Sequence, residues 1–295
     1  MNLNRKQTGI MEMVLAMGLS GTLGYFVVEA DLPVWNIVFF RCVFALLGLG
    51  LYCWWRGLLS PWPLQGRNLL YAAMAGVALV VNWLLLFGSY QYASISLATA
   101  VYHTQPFFLL LLARVVFAER FDVQKLPWYL FAFTGLLLII EFRWTGLSGS
   151  EQLLGFLMAL GAAVLYAVTT LLTRRVVDVR PEVIALLHVF IGVMLLWPVL
   201  DIAALPELPQ QWGYLLVLGL VHTCMMYIFL YSAYQKLSVA LIAILAFLYP
   251  AIAIMVDYVV YDQSLSFLQW FGIMSILLSA AAMNANWSPF VWRRV

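Results

Sequence analysis

Apolar stretches of about 20 residues recur along the whole of this chain, and that is the length a helix needs to cross about 30 Å of hydrocarbon. Where lipid surrounds a backbone, every N–H and C=O must be satisfied internally, so such stretches are expected to be membrane-spanning helices packed against one another. Composition points the same way. Of 295 residues, 65% are hydrophobic and 9% charged, against about 25% charged in an ordinary soluble domain. No stretch of useful size is left for a soluble domain.

Charge, proline and glycine punctuate ten expected spans, at 9–28, 33–54, 69–90, 93–117, 126–142, 152–173, 181–200, 212–234, 238–260 and 266–286. The connections at Glu29–Leu32 and around Gln91 and Tyr92 are short, which makes consecutive helices antiparallel neighbours. Arg5 and Lys6 precede the first run as in a secretion signal, but the apolar pattern passes Gly18-Leu19-Ser20-Gly21 and continues to Val28. It reads as a retained first helix.

Lys and Arg mark the loops that stay in the cytoplasm. Arg5, Lys6, Arg56, Arg67, Arg120, Lys125, Arg174, Arg175, Arg180, Lys236, Arg293 and Arg294 fall on one side of a ten-span arrangement. Glu29, Asp31, Glu151, Asp201, Glu207 and Asp262 fall on the other, with Arg143 the one basic residue among them. Both termini are thereby expected in the cytoplasm. The net charge of +2 is spread over short loops, which excludes a phosphate-tracking surface and nucleic acid as a partner. Cys42, Cys53 and Cys224 lack the spacing of a disulfide framework or a zinc site, so no metal or other cofactor is expected.

A repeat appears at an offset of 144 residues. Tyr90-Gln91-Tyr92-Ala93-Ser94 aligns with Tyr234-Gln235-Lys236-Leu237-Ser238, Pro106 with Pro250, and Val115-Val116 with Val259-Val260. The offset joins equivalent helices of two five-helix halves, 1–145 and 146–295. Five is odd, so the second half enters the membrane from the opposite side, the inverted repeat that secondary transporters use for alternating access.

The run Ala98-Thr99-Ala100-Val101-Tyr102-His103-Thr104-Gln105-Pro106-Phe107-Phe108, followed by Phe117-Ala118-Glu119-Arg120-Phe121, resembles the EamA family of the drug/metabolite transporter superfamily. The small residues, the proline before two hydrophobic residues and the ending with an acid and a base carry the resemblance. Ala118 stands where glycine is usual, and the second copy keeps Tyr249-Pro250-Ala251 but ends Asp262-Gln263-Ser264. The resemblance implies a multi-pass exporter of the bacterial inner membrane, often of amino acids or other metabolites, with a central cavity between the halves and no enzymatic activity.

Charged or strongly polar side chains near mid-membrane cost several kcal/mol unless paired or wetted, so they are the first candidates for a transport site. Arg41, about eight residues into the second span, can form a bidentate pair with a solute carboxylate or a permanent pair inside the protein. His103 and His222 sit near the midpoints of their spans, and His188 is a third of the way along its own. Any of them can bind solute or carry a proton, and His103 stands three residues before Pro106, where the helix is loosened. Glu12 is a second proton-coupling candidate, or an interfacial acid in an ion pair. Arg114 is explained by snorkelling.

Asn82, Trp83, Tyr102, Tyr227 and Tyr249 are expected to line the cavity, with Ser20, Tyr25, Gln105 and Tyr166 as further polar or aromatic positions. A lining of one fixed cation, imidazoles, an amide and aromatic walls suits a carboxylate-bearing solute with some apolar body. Amino acids fit, as do derivatives such as opine-type metallophores; a drug-like or nucleoside metabolite is the alternative cargo. Protons and the lipid bilayer are the other expected partners. No phosphate-binding glycine loop is present, so ATP is not expected to drive the process.

Gly18, Gly21 and Gly24 form a small-residue stripe suited to close helix packing. Gly18-Leu19-Ser20-Gly21 also resembles the nucleophile motif of rhomboid intramembrane proteases, which gives a second reading as a serine hydrolase using Ser20 and His222. A scaffold or sensor is a third, but would have little reason to keep Arg41, Asn82 and His103 at one depth.

Overall fold

The first helix, α1 (Arg5–Ala30), begins at a reciprocal cap. The Asn4 side chain accepts from the Gln7 backbone N–H at 2.8 Å, and the Asn4 N–H donates to the Gln7 side chain at 3.0 Å. It ends at Asp31, in the left-handed region at φ 47°, and Pro33 then leads the chain into α2 (Val34–Trp55). In this computed structural model residues 4–93, 95–118, 122–142, 149–260 and 264–287 are described. Ser94, Glu119, Arg120, Phe121, Arg143, Asp262, Gln263, Arg293 and Arg294 lie outside the described residues.

After α3 (Gly66–Ser89) the expected fourth span is two helices, α4 (Ile95–Tyr102) and α5 (Gln105–Phe117). Pro106 lacks the N–H that would continue the ladder, and the Thr104 hydroxyl folds back onto the Val101 carbonyl at 2.6 Å. Then follow α6 (Leu126–Ile139), α7 (Ser150–Arg175), α8 (Pro181–Leu196) and α9 (Pro209–Gly219). A six-residue π-turn, Leu220–Met225, joins α9 to α10 (Met226–Lys236). The expected ninth span is again divided, into α11 (Val239–Leu245) and α12 (Leu248–Val260), with Pro250 in the first turn of the second piece. The last helix is α13 (Phe267–Asn284), capped by Ser266 and Gln269.

The chain is all-helical, with no strand among the described residues. Among the described residues, eight helical stretches are long and apolar enough to cross a membrane, and Val123–Ile139 is a shorter apolar one. The segment 95–117 is not among the eight; its pieces are 8 and 13 residues long.

The chain divides into two compact units. One comprises residues 1–81 and 168–237, the other 82–167 and 238–295, so each draws on both halves of the sequence. In the first, α2 packs on α8, and α1 packs on α9 and α10. Asn36 ties α2 to the turn after α8: its amide donates to the carbonyls of Asp201 and Ala204 at 2.8 Å, and its oxygen accepts from the Asp201 N–H at 2.9 Å. In the second, α13 packs along α6, and α11 packs on α5 and α13. The fully buried Tyr129 reaches from α6 to α11, its hydroxyl donating to the Ala240 carbonyl at 2.9 Å.

Apolar side chains also cover the outside. Leu47, Leu51, Val115 and Phe267 are exposed, as suits a lipid-facing surface, and exposed Trp54, Trp55, Trp197 and Trp287 stand at helix ends where indoles favour the membrane interface.

Candidate functional site

The π-turn sets the polar interior of the first unit. It widens the helix so that the carbonyls of Val217 and Leu218 face side chains five residues on: His222 Nδ1 at 3.4 Å and the Thr223 hydroxyl at 2.8 Å. Arg41, buried in α2, donates through Nε to Thr223 Oγ1 at 3.1 Å. The other ring nitrogen, Nε2, lies 2.9 Å from the hydroxyl of Thr22 of α1, which itself donates to the Leu19 carbonyl at 2.9 Å. The His222 ring also packs on Phe26, with 4.8 Å between centroids. Arg41 and His222 thus gather at one distorted turn.

Ser20 is placed differently from the hydrolase reading. Its hydroxyl donates to the Ala16 carbonyl at 2.9 Å and lies 3.0 Å from the Met226 sulfur. The hydroxyl beside His222 is that of Thr22. A nucleophile needs its base within hydrogen-bond reach, and Ser20 is committed elsewhere.

His188 holds three helices together. Its Nε2 donates to the Ala72 carbonyl of α3 at 2.9 Å, so Nδ1 accepts from the Tyr231 hydroxyl of α10 at 2.6 Å. Tyr227 packs edge-on against Tyr231 with centroids 5.2 Å apart. Both His188 nitrogens are satisfied by the protein, which makes it a packing histidine. Glu12 takes Lys236 as its ion-pair partner and accepts from the Ser232 hydroxyl at 3.0 Å, so α1 is pinned to α10.

The second unit gathers the aromatic candidates around the α4–α5 break. The His103 ring stacks on Tyr249 of α12, with centroids 5.6 Å apart and planes 22° from parallel. Tyr102 meets His103 edge-on at 5.7 Å and lies 6.0 Å from Tyr166 of α7. One turn earlier on α7, the Ala162 carbonyl accepts from the Asn82 amide at 2.6 Å. Asn82 is completely buried, its oxygen has no partner among the described residues, and neighbouring Trp83 is buried too. His103 and Gln105 are buried with no side-chain hydrogen bond to the described residues.

The sequence candidates therefore separate. Arg41, His222, Tyr227, Glu12 and His188 belong to the first unit, and Asn82, Trp83, Tyr102, His103, Gln105, Tyr166 and Tyr249 to the second. Tyr25 of the first unit packs edge-on against Phe26, and Arg114 of the second is exposed. Thr22 and Thr223, which hold His222 and Arg41, were not singled out by sequence. No sequence spacing marks them, since Thr22 is 200 residues from His222 and Thr223 is 182 from Arg41.

Helices of this length and polarity, with buried polar side chains inside an apolar exterior, define a multi-pass membrane protein. Its family is shown by comparison. The chain belongs to the EamA-like transporter family, whose model matches residues 8–141 and again 153–285, so two copies of the repeat cover it. It is 32% identical over 284 residues to the uncharacterized transporter YxxF of Bacillus subtilis (strain 168), covering 94% of this chain and 89% of that one. A solved crystal structure shares the fold at a TM-score of 0.83 with 17% identity, covering 95% of this chain and 98% of the other. The protein is accordingly a membrane transporter of the drug/metabolite transporter superfamily.

Proposed function

We propose that the protein exports a small carboxylate-bearing metabolite, an amino acid or an amino-acid derivative, across the bacterial inner membrane by alternating access. Ten crossings complete this arrangement: the eight long helices, the shorter α6, and α4 with α5 taken together as one broken span. Two inverted halves, meeting near residue 145, and cytoplasmic termini follow from that count and from the loop charges.

The observation that carries the reading is the pairing of the helix breaks. The turn at His103 and Thr104 and the turn at Ala246 and Phe247 fall at nearly the 144-residue offset of the repeat, each followed by a proline. Broken helices are tolerated at membrane depth where they line a cavity, and carriers place solute sites at such breaks. His103 and Gln105 stand at the first break with donors and acceptors that no described residue uses, and Tyr249 stands beside the second. Arg41 supplies the fixed cation that favours a carboxylate over a neutral solute.

Metabolite profiling of culture medium from cells with and without the protein tests this directly. The expected result is one carboxylate-bearing metabolite enriched outside only when the protein is present. Enrichment of a nucleoside or a cationic drug-like compound instead would replace the cargo assignment, and an unchanged medium would remove export altogether.

A further inference from the structure

The first unit holds a cavity of about 580 Å³ apart from the residues proposed for transport. It opens where four helix ends meet: the start of α1, the last turn of α7, the first turn of α8 and the last turn of α10. Arg5, Arg174 and Arg180 line it together with Asp178 and Glu182. These ends carry the basic residues that the loop charges assign to the cytoplasm.

Two charges in this cavity, Arg5 and Glu182, keep bonding capacity that no described residue uses. Arg5 gives one N–H to the Gln235 carbonyl at 2.9 Å, and a guanidinium has five. Glu182 is more telling. Its side chain is 9% exposed, and Arg180 approaches Oε1 at 3.6 Å. Oε2 is buried without a partner among the described residues. A buried carboxylate oxygen with no donor is costly, and such atoms ordinarily have a partner. A ligand that satisfies this wall brings a donor for Glu182 and an anionic group for the arginines.

We propose that this cavity binds a zwitterion, a primary ammonium group joined by a short linker to a carboxylate or phosphate. The ammonium meets the Glu182 carboxylate, and the anionic end meets Arg5. Val177 and Ile228, also in the lining, suit an attached apolar portion, and the volume lies within the range of ordinary small-molecule sites. Two sources share this chemistry: a free amino-acid-like solute and the headgroup of an ethanolamine phospholipid. The site does not depend on the identity of the exported metabolite, because none of its residues belongs to the transport candidates.

The full chain purified in detergent is titrated calorimetrically with alanine and with phosphoethanolamine, and with acetate, phosphate and ethylammonium as single-charge controls. At least one zwitterion is expected to bind about tenfold or more tighter than every control. Binding of phosphoethanolamine alone assigns the site to a lipid headgroup, and binding of alanine assigns it to a soluble ligand; both support the proposal. Glu182→Gln and Arg5→Gln are each expected to weaken the bound zwitterion about tenfold, whereas exposed Leu130→Ala in the other unit leaves it unchanged. Controls that bind as tightly as the zwitterions, no binding of either zwitterion, or an equal loss in Leu130→Ala overturns the proposal. The comparison on the native chain and the exposed Arg5 variant decide the matter even if Glu182→Gln does not fold.

Discussion

The imidazole of His103, at the turn that breaks α4 from α5, lies nearly parallel to the phenol ring of Tyr249 at the start of α12. Their stacking links one broken helix to its repeat counterpart within a single unit. Ring pairs of this kind contribute about 0.5–1.5 kcal/mol beyond their buried area. His103→Phe keeps a ring on Tyr249 but removes the nitrogens, so it is expected to hold the melting temperature near that of the native protein and to abolish export. Tyr249→Phe keeps the stack and is expected to export. Full export by His103→Phe in vesicles or cells would take the imidazole out of the solute site.

Arg41 presents a different test, because it is a cation held in the interior. Its Nε serves Thr223, which in turn caps the Leu218 carbonyl released by the π-turn. Arg41→Ala is expected to reach the membrane at normal levels and to lose export. Arg41→Lys is expected not to restore it, since an ammonium has no planar fork for a carboxylate. Normal export by well-expressed Arg41→Ala protein, measured by the accumulated metabolite in the medium, would remove this residue from the site.

Glu12 separates coupling from architecture. It is held by Lys236 and Ser232, with side chains 15% and 25% exposed for the acid and the lysine. An ion pair between the fully buried and the solvated extremes is worth about 1–3 kcal/mol. Glu12→Gln is therefore expected to lower the melting temperature while export per folded molecule continues. A coupling role would show the reverse: an unchanged melting temperature and loss of proton-driven export. Scanning fluorimetry and an imposed pH gradient on proteoliposomes read the two effects independently.

The helices were legible in sequence because hydropathy reports the solvent of a segment directly, and their limits moved by only a few residues. The breaks were legible in part: Pro106 announced the loosening at His103, and Pro250, aligned with it at the 144-residue offset, marks the second break without having been read as one. The π-turn at Leu220–Met225 was not, since neither proline nor glycine lies within it and the distortion is visible only in the carbonyls it turns toward His222 and Thr223. Partners were harder still. Which of three histidines is satisfied by the protein depends on how helices far apart in sequence face each other, and His188 shows it: Ala72 and Tyr231 are 116 and 43 residues away.

Helix packing in the second unit gives the most direct stability test. Gly135 of α6 and Gly272 of α13 meet backbone to backbone: a Cβ on Gly135 would stand 2.6 Å from the Gly272 carbonyl oxygen, and one on Gly272 would stand 2.5 Å from that of Gly135. Backbone cannot swing aside as a flexible side chain does, so either alanine must push the helices apart. In lipid, close approach at small residues is what holds such helices together. Gly135→Ala and Gly272→Ala are each expected to cost about 1–3 kcal/mol, the range of an overpacked interior. Because both relieve the clash by the same separation, the double variant is expected to cost less than the sum of the two. Melting temperatures of the four proteins in detergent check this, and additive losses would mean that the two glycines do not share one crossing.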